Sequence, residues 1–198
     1  MLSKGDRTRQ SILEEALAQA TKVGFEGLSL GDLAKDAGMS KSGLYAHFAS
    51  KEDLQLQILK MAAERFIAAV IQPAWGKPKG EARVRALFQL WFDWSRSSFL
   101  PGGCIFVAAA NEMDDRPGPV RDHLVTEQRR WLATIGRAFF SGIEAGQFRP
   151  DLDCDQAAYE MEGIILAYHQ FSRLLRSSES EERAKRAFES LIDKSRIR

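Results

Sequence analysis

Apolar side chains recur at helical spacing along nearly the whole chain, and this periodicity most constrains the fold. Between Arg7 and Val23 they mark one face of a 3.6-residue repeat, and Gly24 follows as a stop signal. We find no segment that alternates apolar and polar residues with the period of two expected for a half-buried strand. The sequence therefore predicts an all-α protein.

Three serines divide the first third of the chain into helices. Ser29, Ser40 and Ser50 stand at N-cap positions, and an aspartate three residues after Ser29 and Ser50 completes a variant of the capping box. We expect short helices after Ser29 and Ser40 and a long helix from Ser50 to about Ile71. Two short helices that are joined by a turn with a glycine and packed on a preceding helix are typical of a helix-turn-helix, whose second helix enters the major groove.

The outward positions of residues 40–48 carry no acidic residue, although a solvated helix face usually carries both signs of charge. Their side chains are small or can hydrogen-bond to phosphates or bases. They are Ser40, Lys41, Ser42, Gly43, Tyr45 and His47. The whole chain has 28 Lys and Arg against 27 Asp and Glu, so composition alone indicates no nucleic-acid partner. The local distribution of charge is what favours DNA, together with Lys4, Arg7 and Arg9 near the chain start.

Residues 24–54 resemble the DNA-binding domain of the tetracycline-repressor (TetR) family; they read GFEGLSLGDLAKDAGMSKSGLYAHFASKEDL. The resemblance covers residues 7–54, about a quarter of the chain. The family usually has Thr at the position of Ser29 and often Gly-Thr at the position of Ser42-Gly43. The resemblance implies a dimeric regulator with a three-helix helix-turn-helix domain in residues 1–50. A helical bundle for ligand binding and dimerisation would follow in residues 51–198.

The resemblance also implies roles for individual residues. Base edges would be contacted by Lys41, Ser42, Gly43 and Leu44, and phosphates by Ser29, Tyr45, His47 and Lys51, with Ser40 on the same surface. Lysine can donate to guanine, leucine can touch a thymine methyl, and a glycine allows close approach. Lys51 opens the long helix, whose N-terminus favours a phosphate. Without the resemblance, a packed tyrosine and a surface histidine would be the simpler interpretation, and Leu44 must also supply packing.

The remainder of the chain is rich in large apolar residues, most of which we expect in the core. Some would line a cavity for a small, largely apolar effector, since Trp and Tyr combine apolar area with one polar handle. The candidates are Trp91, Trp94, Phe106, Trp131 and Tyr168. Asn111, Glu112 and Asp115 are candidates for polar groups of the pocket, with solvated turn residues as the simpler interpretation.

Cys104 follows two glycines at a predicted helix N-terminus, where a thiol pKa can be lowered. An alternative function is therefore a regulator that senses redox state or electrophiles through Cys104. A small buried core residue is the other interpretation, because free cysteine is among the most buried residue types. Cys104 and Cys154 form no metal-ligand spacing, and we predict neither a metal nor a cofactor.

The helices predicted at 154–176 and 181–194 would pair with a two-fold copy in a homodimer, or else only cover the monomer core. No catalytic fingerprint is present, so an enzyme is not expected, and a helical adaptor would leave the acid-free face unexplained. A polar N-terminus and a longest apolar run of seven residues predict a cytoplasmic protein without a membrane partner. The leading hypothesis is a homodimeric repressor that binds a palindromic DNA operator and is released by a small-molecule effector.

Overall fold

The computed structural model describes residues 3–197, with only the backbone of Lys4 included. Within this range the fold is all-α, as predicted, and its only β feature is one antiparallel bridge between Phe148 and Arg196. The α-helices are α1 (Lys4–Val23), α2 (Leu30–Asp36), α3 (Lys41–Tyr45), α4 (Lys51–Phe66), α5 (Gln72–Trp75), α6 (Glu81–Ser95), α7 (Ile105–Met113), α8 (Pro119–Glu144), α9 (Cys154–Arg173) and α10 (Ser180–Ser195). No helix in the described range is both long and apolar enough to cross a membrane.

The three predicted serine caps are confirmed. The side-chain oxygens of Ser29, Ser40 and Ser50 accept the backbone N–H three residues onward, over 3.3, 3.1 and 3.0 Å. Helix α1 begins three residues earlier than its apolar pattern indicates. Ser3 and Asp6 cap each other's backbone N–H there, which satisfies groups that a helix start leaves without partners.

The long helix predicted to end near Ile71 changes its hydrogen-bonding pattern on the way. The α-helical pattern ends at Phe66, a π-helical segment follows at Ile67–Ile71, and α5 continues to Trp75. Apolar periodicity does not distinguish α-helical from π-helical hydrogen bonding, so the change at Ile67 could not be predicted from the sequence. Pro73 lies in the first turn of α5 and has no N–H to donate to the π-helical segment before it.

The chain forms two compact units. Unit 1 comprises the residues up to Arg65 together with Arg96–Thr126, and unit 2 comprises Phe66–Ser95 together with Glu127–Arg198. The core of unit 1 includes the fully buried Leu17, Phe25, Leu33, Leu54 and Ile58. That of unit 2 includes Trp91, Phe92, Phe139, Phe148 and Ile165. The domain boundary after residue 50 stays a prediction.

Candidate DNA-binding and effector sites

The turn between α2 and α3 is a Schellman motif. The backbone N–H of Gly38 donates to the Lys35 carbonyl over 3.0 Å, and that of Met39 donates to the Ala34 carbonyl over 2.9 Å. These two bonds satisfy carbonyls at the C-terminus of α2. Gly38 has a φ of +65°, a backbone conformation that a residue with a Cβ rarely adopts. This turn sets the direction in which the chain enters α3, the predicted recognition helix.

Four residues at the start and end of α3 form an exposed face, which we call the recognition surface: Ser40, Lys41, Ser42 and Tyr45. Tyr45 is a large side chain that exposes 46% of its surface. The hydroxyls of Ser40 and Ser42 lie 2.9 Å apart, and Ser40 also caps α3 by accepting from the N–H of Gly43. A cluster of donors without a carboxylate is suited to an anionic partner.

The inward side of α3 belongs to the core of unit 1. Leu44 and Phe48 are 1% and 2% exposed, and the Arg9 guanidinium lies 5.2 Å from the centre of the Phe48 ring. His47 is half-buried, with its ring centre 6.4 Å from that of Phe48. Leu44 would have to leave this packing to touch a base, so its base contact stays a prediction while its packing role is present.

Ser29 and Lys51, predicted to contact phosphates, are half-buried near the connection between α1 and α2. The Ser29 hydroxyl caps α2. The Lys51 ammonium donates to the Glu26 carbonyl over 2.8 Å and keeps two further N–H donors, since an ammonium has three. The Glu26 carboxylate is paired with the guanidinium of Arg116. Lys51 is thereby held at the N-terminus of α4 with donors to spare.

Glu112 lies on α7 and is half-buried, so the simpler of the two interpretations, a solvated turn residue, is wrong. Its half-buried carboxylate accepts the backbone N–H of Phe25 over 2.7 Å, 87 residues away in the chain. The Phe25 carbonyl accepts in turn from the buried side-chain amide of Gln55 over 3.2 Å. No local pattern marks this role of Glu112, because its partner Phe25 lies far from it in the sequence.

A second long-range contact secures the end of α1. The Gly102 N–H donates to the Thr21 hydroxyl over 2.9 Å. A Cβ on Gly102 would lie 1.7 Å from the Thr21 carbonyl oxygen, so only glycine allows this approach. We call the contacts of Gly102, Glu112 and Arg116 on residues 21–26 the α7 clamp. It holds the backbone just before the helix-turn-helix in place.

Two of the candidate effector residues, Trp94 and Trp131, belong to a buried aromatic group in unit 2. Phe66, the last residue of α4, meets both indoles edge to face, with ring centres 5.3 and 5.2 Å apart. The Trp131 indole N–H donates to the Glu162 carboxylate over 2.8 Å. We call Phe66, Trp94, Trp131 and Glu162 the aromatic–acid cluster.

The other candidates lie elsewhere. Trp91 and Tyr168 contact each other in unit 2, with ring centres 6.0 Å apart, while Phe106 is in unit 1. All five candidates are at most 9% exposed. Burial agrees with a role in the core as well as with a cavity lining, so their binding role stays a prediction.

Neither cysteine is in a disulfide. Cys104 is 2% exposed at the N-terminus of α7, where its side chain makes no capping hydrogen bond. Burial, with the nearby charges of Asp155 and Asp153, raises the pKa of the Cys154 thiol. The sensing role of Cys104 stays a prediction. In the described part of the chain no group of three potential ligands is placed to hold a metal ion.

An apolar groove of about 230 Å³ lies between α9 and α10 in unit 2. Its lining is almost wholly apolar and comprises Ile164, Ala167, Tyr168, Phe171, Ser180, Arg183, Ala184 and Ala187. Large apolar side chains on α9 and just after it are also exposed, namely Tyr159, Leu166, Phe171, Leu174 and Leu175, from 43% to 72%. Contiguous exposed apolar patches are uncommon on soluble monomers and often mark interaction sites.

Comparison with known proteins places both parts of the chain in one family. Residues 12–58 match "Bacterial regulatory proteins, tetR family", and residues 80–188 match "Tetracyclin repressor-like, C-terminal domain". The transcriptional repressor KstR2 of Mycobacterium tuberculosis is 27% identical over 149 residues, which cover 74% of this chain and 72% of KstR2.

Two crystal structures share the fold. A TetR transcriptional regulator from Chloroflexus aurantiacus is 25% identical, with a TM-score of 0.88 over 100% of both chains. AibR, crystallised with isovaleryl coenzyme A and operator DNA, is 22% identical, with a TM-score of 0.76 over 93% of this chain and 98% of AibR. The helix-turn-helix, the helical remainder and these matches agree. The chain belongs to the TetR family and is a DNA-binding transcriptional regulator, not an enzyme.

Proposed function

We propose that this regulator is a homodimeric repressor that binds a palindromic operator and is released by a small organic effector. The observation that carries the proposal is the recognition surface, where Lys41, Tyr45 and two serine hydroxyls are exposed without a neighbouring acid on α3. Serine and tyrosine hydroxyls donate to phosphates, and lysine donates to guanine or phosphate. Lys51, at the N-terminus of α4, supplies a further phosphate contact, which the helix dipole favours.

The groove between α9 and α10 is the proposed dimer interface. Its apolar lining and the exposed Leu166, Phe171 and Leu174 would be covered by the same surface of a second copy, forming a four-helix contact. A two-fold dimer offers two recognition helices to half-sites about 34–36 Å apart. Each recognition surface has few basic residues, so a single copy neutralises few phosphates. Dimerisation doubles the number of phosphate contacts on one operator.

The proposed release mechanism runs along α4. This helix starts at Lys51, a proposed phosphate contact, and ends at Phe66, which belongs to the aromatic–acid cluster. An effector that displaces Phe66 would shift α4 and change the placement of the recognition helices. A coupling of about 1–3 kcal/mol suffices for a 5- to 150-fold loss of DNA affinity. Relatives support such a scheme, since KstR2 is a repressor and AibR was crystallised with a ligand and operator DNA.

The test is binding of the full-length protein to duplexes from the DNA upstream of its own gene, followed by fluorescence anisotropy at several salt concentrations. We expect Lys51→Ala to weaken binding about tenfold, and to reduce the salt dependence by about one released counterion per protomer. Lys77→Ala is the control, because this lysine is exposed and lies in unit 2, away from the recognition surface in the sequence. Sedimentation of the complex should show two chains per duplex. Failure of every upstream duplex to bind, or equal affinity of the Lys51 and Lys77 variants, would contradict the proposal.

A further inference from the structure

Glu26 contacts two cations at once, one through its backbone and one through its carboxylate. Its carbonyl accepts from the Lys51 ammonium over 2.8 Å, and its carboxylate pairs with the guanidinium of Arg116 in the segment between α7 and α8. The side chains of Arg116 and Glu26 are 52% and 55% exposed. An exposed ion pair contributes little to folding stability, so its charges matter chiefly to the group beside it, which here is the Lys51 ammonium.

The α7 clamp brings Arg116 to this position. The Glu112 carboxylate, on the last turn of α7, accepts the N–H of Phe25, the residue before Glu26, over 2.7 Å. The backbone N–H of Arg116 donates to the Met113 carbonyl over 3.2 Å, which closes the turn after α7. The backbone around both members of the ion pair is thus held by bonds that do not involve the Arg116 side chain. Arg116→Ala should therefore remove a charge and leave the loop in place.

The surroundings of the Lys51 ammonium are acidic. Glu52 and Asp53 follow it in the first turn of α4, and Glu26 provides the carbonyl that it contacts. Asp53 accepts a backbone N–H, which satisfies a donor and leaves the negative charge in place. In the described part of the chain, Arg116 is the only Lys or Arg that pairs with any of these three carboxylates. Without it, Lys51 would be one positive charge among three negative ones.

The Glu26 carboxylate is close enough to act on a phosphate that Lys51 binds. A glutamate side chain is short, so this carboxylate stays within about 7 Å of the carbonyl oxygen of its own residue, where the ammonium lies. The distance to the phosphate is then about one Debye length, which is about 10 Å at 0.1 M salt. Repulsion between the two negative charges is only partly screened at this distance. A guanidinium against the carboxylate cancels most of it.

We propose that Arg116 assists operator binding by neutralising the Glu26 carboxylate, so that Lys51 can hold a DNA phosphate without repulsion from this acid. Arg116 is then a positioning residue, which acts through Glu26 and does not itself touch the DNA. The inference rests on the proposed function in that Lys51 contacts an operator phosphate. It extends the groups that set DNA affinity to the segment between α7 and α8, outside the helix-turn-helix.

The experiment measures the affinity of the full-length protein for the duplex from its own upstream DNA that the wild type binds most tightly. Fluorescence anisotropy is recorded at several salt concentrations. We expect Arg116→Ala to bind about fivefold more weakly than the wild type at 0.1 M salt, and the difference to shrink as salt screens the repulsion. Arg116→Lys keeps the charge and should bind as the wild type does. Wild-type affinity in Arg116→Ala at every salt concentration would overturn the proposal.

Glu26→Ala distinguishes an electrostatic role from a mechanical one. It removes the repelling charge together with the ion pair and keeps the carbonyl that Lys51 contacts, so it should bind DNA at least as tightly as the wild type. The double variant Glu26→Ala/Arg116→Ala should recover the affinity that Arg116→Ala loses. Weaker binding by Glu26→Ala would mean that the pair only braces the loop. A double variant as weak as Arg116→Ala would mean that Arg116 itself contacts a phosphate. Either result overturns the proposal.

Arg149→Ala is the matched control. This arginine pairs with Asp151 at the surface of unit 2, where the two side chains are 40% and 77% exposed, and its loss should leave DNA affinity unchanged. Urea denaturation of each variant should give wild-type stability within error, as expected for exposed pairs. Weakened binding in Lys51→Ala together with wild-type affinity in Arg116→Ala would overturn this inference alone. Failure of the wild type to bind any upstream duplex would overturn the proposed function and this inference with it.

Discussion

In unit 1, side chains from distant segments hydrogen-bond to the backbone around Phe25. Unit 2 has such contacts on Gly80 and Glu81 as well, and adds long-range contacts that join rings and charged side chains to one another. Glu112 and Gln55 hold the N–H and carbonyl of Phe25. In unit 2, the rings of Phe88 and Phe188 stack with centres 3.9 Å apart, and Arg85 makes two hydrogen bonds to Glu189. The first kind of contact fixes a loop, and the second fixes helices against each other.

Helix length explains the difference. Helices α2 and α3 have seven and five residues, and helices of that length are not stable by themselves in water. They depend on caps and on a firmly placed connection to α1. Helices α9 and α10 have 20 and 16 residues and bury a long apolar face. Single substitutions should therefore cost most where the α7 clamp meets the backbone, and less where unit 2 spreads its contacts over many side chains.

The largest expected effect is that of Gly102→Ala. The new Cβ would overlap the Thr21 carbonyl, so Gly102 must move and its hydrogen bond to the Thr21 hydroxyl must break. We expect a loss of about 3 kcal/mol in the free energy of unfolding, measured by urea denaturation. Gly163→Ala on α9, where the added Cβ meets nothing within 4 Å, should instead stabilise the protein by about 0.4–1 kcal/mol. A similar effect of both changes would remove the contrast between the units.

Glu112→Ala should cause the second-largest loss in the free energy of unfolding. The Phe25 N–H loses a charged acceptor and stays inside unit 1, which costs about 1.5–3 kcal/mol in the free energy of unfolding. We also expect weaker operator binding in conditions where the variant is folded, because the clamp positions the connection into α2. Asp115→Ala, at an exposed position two residues past α7, serves as control and should change stability by less than about 0.5 kcal/mol. Full stability of Glu112→Ala would show that water replaces the carboxylate at no cost.

The smallest effect is expected in the charge network of unit 2. Hydrogen bonds from Arg196, and then from Arg85, lower the pKa of Glu81 from 4.5 to about 2. A depressed folded-state pKa contributes stability above pH 4.5, and this contribution is lost as the pH falls toward 2. Because the group is partly exposed, Glu81→Gln should cost about 0.5–1 kcal/mol at pH 7 and almost nothing near pH 2. Urea denaturation at several pH values measures this.

Glu182→Gln is the matched control for Glu81. Its pair with Arg186 is one turn apart on α10 and almost fully in solvent, so its loss should fall within experimental error. An equal cost for the two variants would mean that the link from α6 to the chain end through Arg196 adds nothing beyond a surface ion pair.

The helices and the recognition surface follow from signals that act over a few residues. Caps at Ser29, Ser40 and Ser50 and the apolar spacing locate α2, α3 and α4 because each signal involves groups within one or two helical turns. The absence of acids in residues 40–48 is visible in the same way. The sequence alone thus determined the all-α fold and the exposed, acid-free face of α3, and the resemblance to the TetR family gave that face its expected partner.

Tertiary structure decided the long-range partners and the burial of polar side chains, which local sequence signals do not specify. Glu112 is ordinary in its local sequence, and only the approach of α7 to a residue 87 positions away makes its carboxylate a partner of the Phe25 backbone. Glu162 becomes a half-buried acid beside an indole because α9 packs near Trp131, which is 31 residues earlier. Burial and pairing depend on contacts between segments that are distant in the chain. The sequence therefore determined where the helices form, and tertiary packing decided which of their polar groups are held away from water.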